Sequence, residues 1–316
     1  MSAGARAASA VLVTGATGYL GGHLARALAA DGVPLHFLAR ESSRVGDLPA
    51  IGSVHRHDGT MASMARIVAE ANPRLVYHLA SRVLATHSAA DVDGLIAGNL
   101  ALATQLAEAC SSLPACGLVT AGTHWQHYGN HRYSPVSLYA AMKQAVDDVL
   151  QFYAETTPLN VVSLHLADVY GPNDPRPKIL NLLLDAARSG EVLVTTPGEQ
   201  VIHPIHVDDV VNALRVAGGR VVNSPSDAFS QFAVRPADTV DLRTLASIVA
   251  EVSGRPLRIE WGGRPYRARE IMMPWTSGEV LPGWEPCVSL RAAVRSIFQA
   301  REATRSTAPG ESQPSG

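Results

Sequence analysis

Tyr139 and Lys143 stand four residues apart in Ser137-Leu-Tyr-Ala-Ala-Met-Lys143. On a helix that spacing puts both on one face. A nearby ammonium favours the phenolate and brings a phenol closer to use as an acid near neutral pH. Upstream, Thr123 follows the apolar run Gly117-Leu-Val-Thr-Ala121, so a strand end delivers a hydroxyl to the same region. A Tyr/Lys pair on a solvated helix would carry no meaning alone. Its context is Val11-Leu-Val-Thr-Gly15-Ala-Thr17-Gly18-Tyr19-Leu20-Gly21, which reads as strand, tight turn and helix start. Gly15 permits the turn, Gly18 brings bare backbone toward a pyrophosphate, and Gly21 lets the helix pack on the strand. The helix N-terminus then offers free N–H groups and a positive dipole end to the anion. An acid beside a dinucleotide cradle is the equipment of hydride and proton transfer.

The elements that must position these groups alternate between strand and helix. Leu20, Leu24, Ala27 and Leu28 give the first helix an apolar face, and Val33 to Ala39 forms a second strand ending at Arg40. An acidic residue at this point would bond the ribose 2′-hydroxyl of NAD, whereas arginine accommodates the 2′-phosphate of NADP. Arg40 and Arg44 therefore predict NADP(H). Ser53 to His57 is a third strand, and Asp58 either caps the helix Met61 to Ala71 or touches adenine. Leu75 to Ser81 is a fourth strand whose Leu79, Ala80 and Ser81 lie under the nicotinamide half, and a long helix runs from about Asp91 to Ser111. Further on come a helix from Asn181 to Arg188, a short strand from Glu191 to Thr195 and a helix capped by His203 to Asp209. His206 and Asp208 read there as capping and packing groups. Asp241 to Ser253 is an amphipathic helix, Leu257 to Trp261 a strand, and Arg264 to Arg269 a basic stretch.

The order predicts an α/β fold: a doubly wound parallel sheet (Rossmann) with a smaller C-terminal α/β substrate cap. Residues 10–170 form the dinucleotide-binding domain, with about 200–235 returning to it. Residues 171–300 are mainly cap, and 1–9 and 302–316 are disordered termini. A chain of 316 residues, 47% hydrophobic and 17% charged, is long enough for such a core. A net charge of -2 makes no case for nucleic acid or an anionic membrane as partner. No apolar stretch reaches a membrane span, and no signal peptide is recognisable. Cys110, Cys116 and Cys287 lack metal-ligand spacing and read as buried filler in a reduced, cytoplasmic protein; no metal is expected.

Taken together, Thr14-Gly-Ala-Thr-Gly-Tyr-Leu-Gly21, His78-Leu-Ala-Ser81, Tyr139-x-x-x-Lys143 and His206-Val-Asp-Asp209 resemble the extended short-chain dehydrogenase/reductases, the NAD-dependent epimerase/dehydratase group, over about residues 10–295. Leu164-His-Leu-Ala-Asp168-Val-Tyr-Gly-Pro172 through Lys178, with Gly122-Thr-His-Trp-Gln126, is similar to the nucleotide-sugar 4-ketoreductases. That group includes abequose and paratose synthases and the deoxyhexose reductases of antibiotic pathways. The resemblance implies NADPH-dependent reduction of the C4 ketone of a nucleotide-linked 4-keto-6-deoxyhexose, expected as the dTDP sugar, in deoxysugar biosynthesis. Tyr139 would be the acid, Thr123 would hold the carbonyl oxygen, and Lys143 would hold the nicotinamide ribose and lower the phenol's pKa. Thr17, Tyr19, Leu20, Leu79, Ala80, Ser81 and Asn99 join the implied cofactor contacts. Arg82, His124, Trp125, Asp168, Lys178 and Arg267 surround the implied substrate. Asp168 stands where most relatives carry asparagine, and Ile202-His-Pro204 where they carry Arg-Asp-Phe.

The resemblance also implies a homodimer, paired through the long helix from Asp91 and the helix carrying Tyr139. Leu150 and Phe152 either extend that face or pack under the sheet. A related 4,6-dehydratase would carry Thr-Asp-Glu where this chain has Thr123-His-Trp125. A 4-epimerase with bound NAD is the alternative enzyme, with Arg40 against it. A non-catalytic NADP-sensing protein is the alternative outside catalysis, and such relatives often lose the Tyr-x-x-x-Lys pair that this chain keeps.

Overall fold

The computed structural model describes residues 10–223 and 228–306. From the N-terminus come β1 (Val11–Thr14), α1 (Tyr19–Ala30), β2 (Leu35–Arg40), β3 (Gly52–His57), α2 (Met61–Ala71) and β4 (Leu75–His78). Then follow α3 (Val92–Leu95), a π-helical turn Ile96–Ala101, α4 (Leu102–Ser111), β5 (Cys116–Thr123), α5 (Leu138–Thr156) and β6 (Leu159–Leu166). Among the described residues seven strands make one parallel sheet, and the chain returns at β11 (Phe229–Val234) to pair with β6. The order is β3-β2-β1-β4-β5-β6-β11. Progression reverses between β1 and β4, which opens a crevice at their carboxyl ends.

Alternate strand residues face opposite layers. Val13, Val119 and Val162 pack on α1 and on α7 (Val207–Asn223), through Leu24, Leu28, Val210 and Leu214. Leu12, Leu118 and Val161 pack on α2, α4 and α5, through Met64, Ile67, Leu106 and Val146. Because both faces are covered, the strands read as continuous apolar runs.

A third core lies beyond the sheet. It joins α6 (Ile179–Ser189), α8 (Leu242–Ser253) and α9 (Leu290–Ser306) through Leu183, Leu184, Leu245, Val249, Val294 and Ile297. Three small strand pairs edge it: β7 (Asp168–Tyr170) with β10 (Pro204–His206), β8 (Leu193–Thr195) with β13 (Ile259–Trp261), and β9 (Val201–Ile202) with β12 (Val240–Asp241).

Local chemistry sets the boundaries. Thr60, Ser137 and Asp241 cap α2, α5 and α8 by accepting from the N–H three residues on. β5 extends past the expected Ala121 to Thr123, because Gly122 fits against the His165 ring where a Cβ would come within 2.5 Å. The helix expected unbroken from Asp91 is opened by Asn99, whose Nδ2 donates to Leu95 O at 3.0 Å inside the ladder.

Of the expected disordered termini, 1–9 and 307–316 lie outside the described residues, while 302–306 continue α9. Cys287 is exposed rather than buried filler, and Leu150 is fully buried in the core under the sheet. No helix among the described residues is long and apolar enough to cross a membrane.

Candidate active site

At the reversal point the end of β1 turns sharply, with Gly15 at φ +76. A Cβ at Gly15 would lie 2.5 Å from Ala80 N, and one at Gly21 would collide with Gly15 O. At Gly18 it would approach only Gly15 O, at 3.2 Å. The first glycine thus lets the turn pack against the end of β4 and the third closes the turn on itself, while the second presents exposed backbone. No side chain caps the N-terminus of α1, so the helix end faces outward as an anion site. Buried Thr14 ties the two strand ends together: its Oγ1 meets His78 Nδ1 at 2.9 Å and accepts from Ala80 N at 3.1 Å. The residues present fit a dinucleotide.

Arg40 and Arg44 are exposed at and beyond the end of β2. Arg56, which nothing in the sequence singles out, braces this loop by donating Nη1 to the carbonyls of Arg40 (2.8 Å) and Ser43 (2.9 Å). Asp58 caps no helix directly. Its Oδ1 accepts from Thr60 N and Oγ1, and Thr60 is the cap of α2.

Tyr139 and Lys143 lie on one buried face of α5, 8% and 3% exposed. Burial pushes the Tyr139 phenol up to about 12, against the pull of a hydrogen bond with Ser81 and of the Arg176 charge. The expected lowering by Lys143 is not what opposes burial here. Lys143 is itself brought down to about 8 by desolvation, with Asp147 pulling the other way. Ser81 Oγ donates to Asn99 Oδ1 at 2.6 Å, and Asn99 Nδ2 donates to the carbonyls of Arg82 and Leu95. Asn99 therefore acts through Ser81 and uses its own amide inside the protein. Thr123 ends β5, and its Oγ1 accepts from Trp125 N at 3.3 Å, which leaves its proton to donate.

A cavity of about 380 Å³ is bordered by His124, Trp125, Asp168, Gln200, Arg264 and Arg267; its lining includes none of Thr123, Tyr139 and Lys143, and Trp125 is its link to them. The Trp125 ring stands edge-on to Tyr139 at 6.3 Å. His124 Nε2 is 3.6 Å from Asp168 Oδ1. Burial lowers the His124 pKa although Asp168 opposes it, and Nδ1 has no partner among the described residues. Three cations expected at the substrate are engaged within the chain. Arg82 pairs with Asp91 at 2.7 Å, and Lys178 Nζ donates to Val169 O at 3.0 Å outside the cavity lining. Arg267 borders the cavity but makes two 2.9 Å bonds to Glu270. Tyr19 packs under the Arg176 guanidinium, which is 4.7 Å above its ring.

Residues 11–229 match the NAD dependent epimerase/dehydratase family. The chain belongs to that family. Among relatives of this epimerase/dehydratase protein, CDP-abequose synthase of Yersinia pseudotuberculosis is 26% identical over 269 residues, covering 84% of this chain and 91% of that one. UDP-glucose 4-epimerase of Mycolicibacterium smegmatis is 27% identical, covering 91% and 97%. The solved structure of Thermotoga maritima UDP-glucose 4-epimerase with UDP-glucose superposes at a TM-score of 0.81 with 23% identity, covering 94% of this chain and 99% of that one. Such a match shows that the two share a fold.

Proposed function

We propose that the protein is an NADP(H)-dependent nucleotide-sugar 4-ketoreductase, reducing the C4 ketone of a nucleotide-linked 4-keto-6-deoxyhexose. The observation that carries this reading is the buried Tyr139/Lys143 face of α5, joined to the cradle side through Ser81 and to the cavity side through Trp125. Bound NADPH would supply the hydride received by the carbonyl carbon. Tyr139 donates its phenolic proton to the carbonyl oxygen, while the Thr123 hydroxyl donates a hydrogen bond to that oxygen as charge develops. Lys143 holds the nicotinamide ribose, and the hydrogen bond with Ser81 and the Arg176 charge favour the phenolate that the step leaves behind. Gly18 and the start of α1 take the pyrophosphate, and Arg40 and Arg44 take the 2′-phosphate. His124, Trp125 and Asp168 border the sugar.

The relatives named CDP-abequose synthase support ketone reduction, and Arg40 as the last residue of β2, with no acid until Glu41 just beyond it, supports the phosphorylated cofactor. The reading includes a homodimer paired through α4 and α5. It is tested with CDP-, dTDP- and UDP-linked 4-keto-6-deoxyhexoses, following cofactor oxidation and identifying products by NMR. We expect NADPH oxidation matched by a 4-hydroxy sugar. No turnover of any ketosugar overturns the reading, and interconversion of UDP-glucose and UDP-galactose without added cofactor would favour the epimerase instead.

A further inference from the structure

Beneath the catalytic pair runs a line of buried polar groups that the reaction above does not use. Asp147, one turn beyond Lys143 on α5, accepts from Ser163 Oγ at 2.6 Å, from Gln126 Nε2 at 2.9 Å and from His165 Nε2 at 2.9 Å. His165 Nδ1 lies 2.8 Å from His127 Nε2, and His127 Nδ1 lies 2.6 Å from the carbonyl oxygen of Arg132. The chain thus ends in a hydrogen-bond acceptor on both sides, a carboxylate and a carbonyl. Its three contacts need three protons, and two neutral imidazoles carry only two. With every bond made, the two rings share one positive charge; without that charge, one bond is open.

The surroundings bear on that charge. Burial opposes a charged Asp147, but His165, Ser163 and Gln126 together hold its carboxyl below the ordinary range. Burial and the neighbouring His165 push His127 down to about 4, and the ring that meets the carboxylate, at 2.9 Å, is that of His165. The groups facing the chain are Lys143 and Asp147 from α5, Ser163 from β6, Gly122 from β5, and Gln126 and the backbone of His131 and Arg132 from the loop. Trp275 stacks flat on His127 with ring centres 3.7 Å apart. His78 on β4 also lies in the field of Lys143 and is held neutral by burial and by that ammonium.

We propose that Asp147, His165 and His127 form a switchable counter-charge for Lys143, storing one proton and releasing it to expose the Asp147 carboxylate. While the pair of rings holds the extra proton it shares the carboxylate, and the Lys143 ammonium is held less firmly. As pH rises the proton leaves from His127, beside the exposed turn at His131 and Arg132, to solvent. Asp147 then acts on Lys143 alone, and the ammonium is retained to higher pH. The three are positioning residues that reach the reaction through Lys143. The inference rests on Lys143 being the group that holds the cofactor ribose.

The test has two arms on the full chain. Imidazole ¹⁵N NMR, assigned with His127→Phe and His165→Gln, reads the protons directly. We expect one ring of the pair to carry protons on both nitrogens at the acid end of the range, and a coupled change in both rings as the proton leaves. Two neutral rings of fixed tautomer at every pH overturn the proposal. The second arm follows NADPH affinity against pH. Asp147→Asn removes the counter-charge, so the alkaline loss of binding moves to lower pH by about one unit, a tenfold change at a fixed pH on that limb. His165→Gln keeps the carboxylate and leaves that limb in place. A purely structural role predicts instead that both variants lower affinity by a constant factor at all pH values, and that result also overturns the proposal. Failure of the wild type to bind any nicotinamide dinucleotide would overturn the functional reading, and the imidazole signals keep that failure distinct from the absence of a stored proton.

Discussion

Taking one oxygen from Tyr139 separates binding from chemistry. Tyr139→Phe keeps the ring against Trp125, so NADPH affinity is expected to hold while single-turnover hydride transfer falls by at least ~10²-fold. Lys143→Ala should damage both, because it removes the ammonium that holds the ribose and the stem that packs on the buried face beside the acid. Thr123→Val loses a hydrogen bond to the reacting oxygen and also the cap on Trp125 N. Turnover should therefore fall and sugar KM should rise, which steady-state kinetics with direct cofactor titration will separate. At this scale the sequence exposes what is local. The Tyr139/Lys143 spacing and the glycine motif lie within a few residues and carry their own geometry. The links from Asp147 to His165, over 18 residues, and from His127 to His165, over 38, exist only once β6 lies beside β5. Charge by itself does not announce a partner: Arg82 is paired with Asp91 and Lys178 donates to Val169 O, which their own motifs do not show.

Elements set which cofactor and which pH the site accepts. At the end of β2, Arg40→Ala should weaken NADPH by about ten- to a hundredfold, equivalent to about 1.5–3 kcal/mol for one charge-assisted contact, and leave NADH nearly unchanged. Equal wild-type affinity for the two cofactors would refute the 2′-phosphate assignment. Arg56→Met should reduce the same preference, because it frees the carbonyls of the loop that carries Arg40 and Arg44. On α5, desolvation brings Lys143 to about 8. A lysine whose pKa is lowered on folding is charged below that value and neutral above it, so NADPH affinity should be level at neutral pH and decline as pH rises through about 8. The same shift makes the folded state bind fewer protons than the unfolded chain between about 8 and 10.5, so this group's contribution to stability improves with rising pH across that window.

For the whole molecule, the alternation of strand and helix made the doubly wound sheet legible, because buried parallel strands and amphipathic helices leave opposite signatures. The π-helical turn was not legible, since Asn99 opens the ladder with a side-chain bond that periodicity does not register. Self-association divides the same way. Leu150 went to the core, but Phe152 on α5 is 59% exposed and Ile96 in the π-helical turn is 41% exposed. Light scattering should find a dimer, and Phe152→Arg should give a monomer that keeps its native circular-dichroism spectrum, since within one protomer this side chain is exposed and no core depends on it. A wild-type monomer at micromolar concentration would remove the pairing.

The three glycines of the cradle should diverge under selection. In a library of single substitutions sorted first for folded protein, positions 15 and 21 should be depleted at once, because a Cβ at 21 strikes Gly15 O in the same turn, one at 15 strikes the backbone of Leu79 and Ala80 just after β4, and Gly15 also needs a positive φ. Position 18 should survive that sort, because its Cβ contact with Gly15 O is relieved by a shift of a few tenths of an ångström. It should be lost only when the survivors are sorted for dinucleotide capture. Two glycines of one motif are thus under pressure from the fold and the third from the ligand, and the order in which they disappear is the readout.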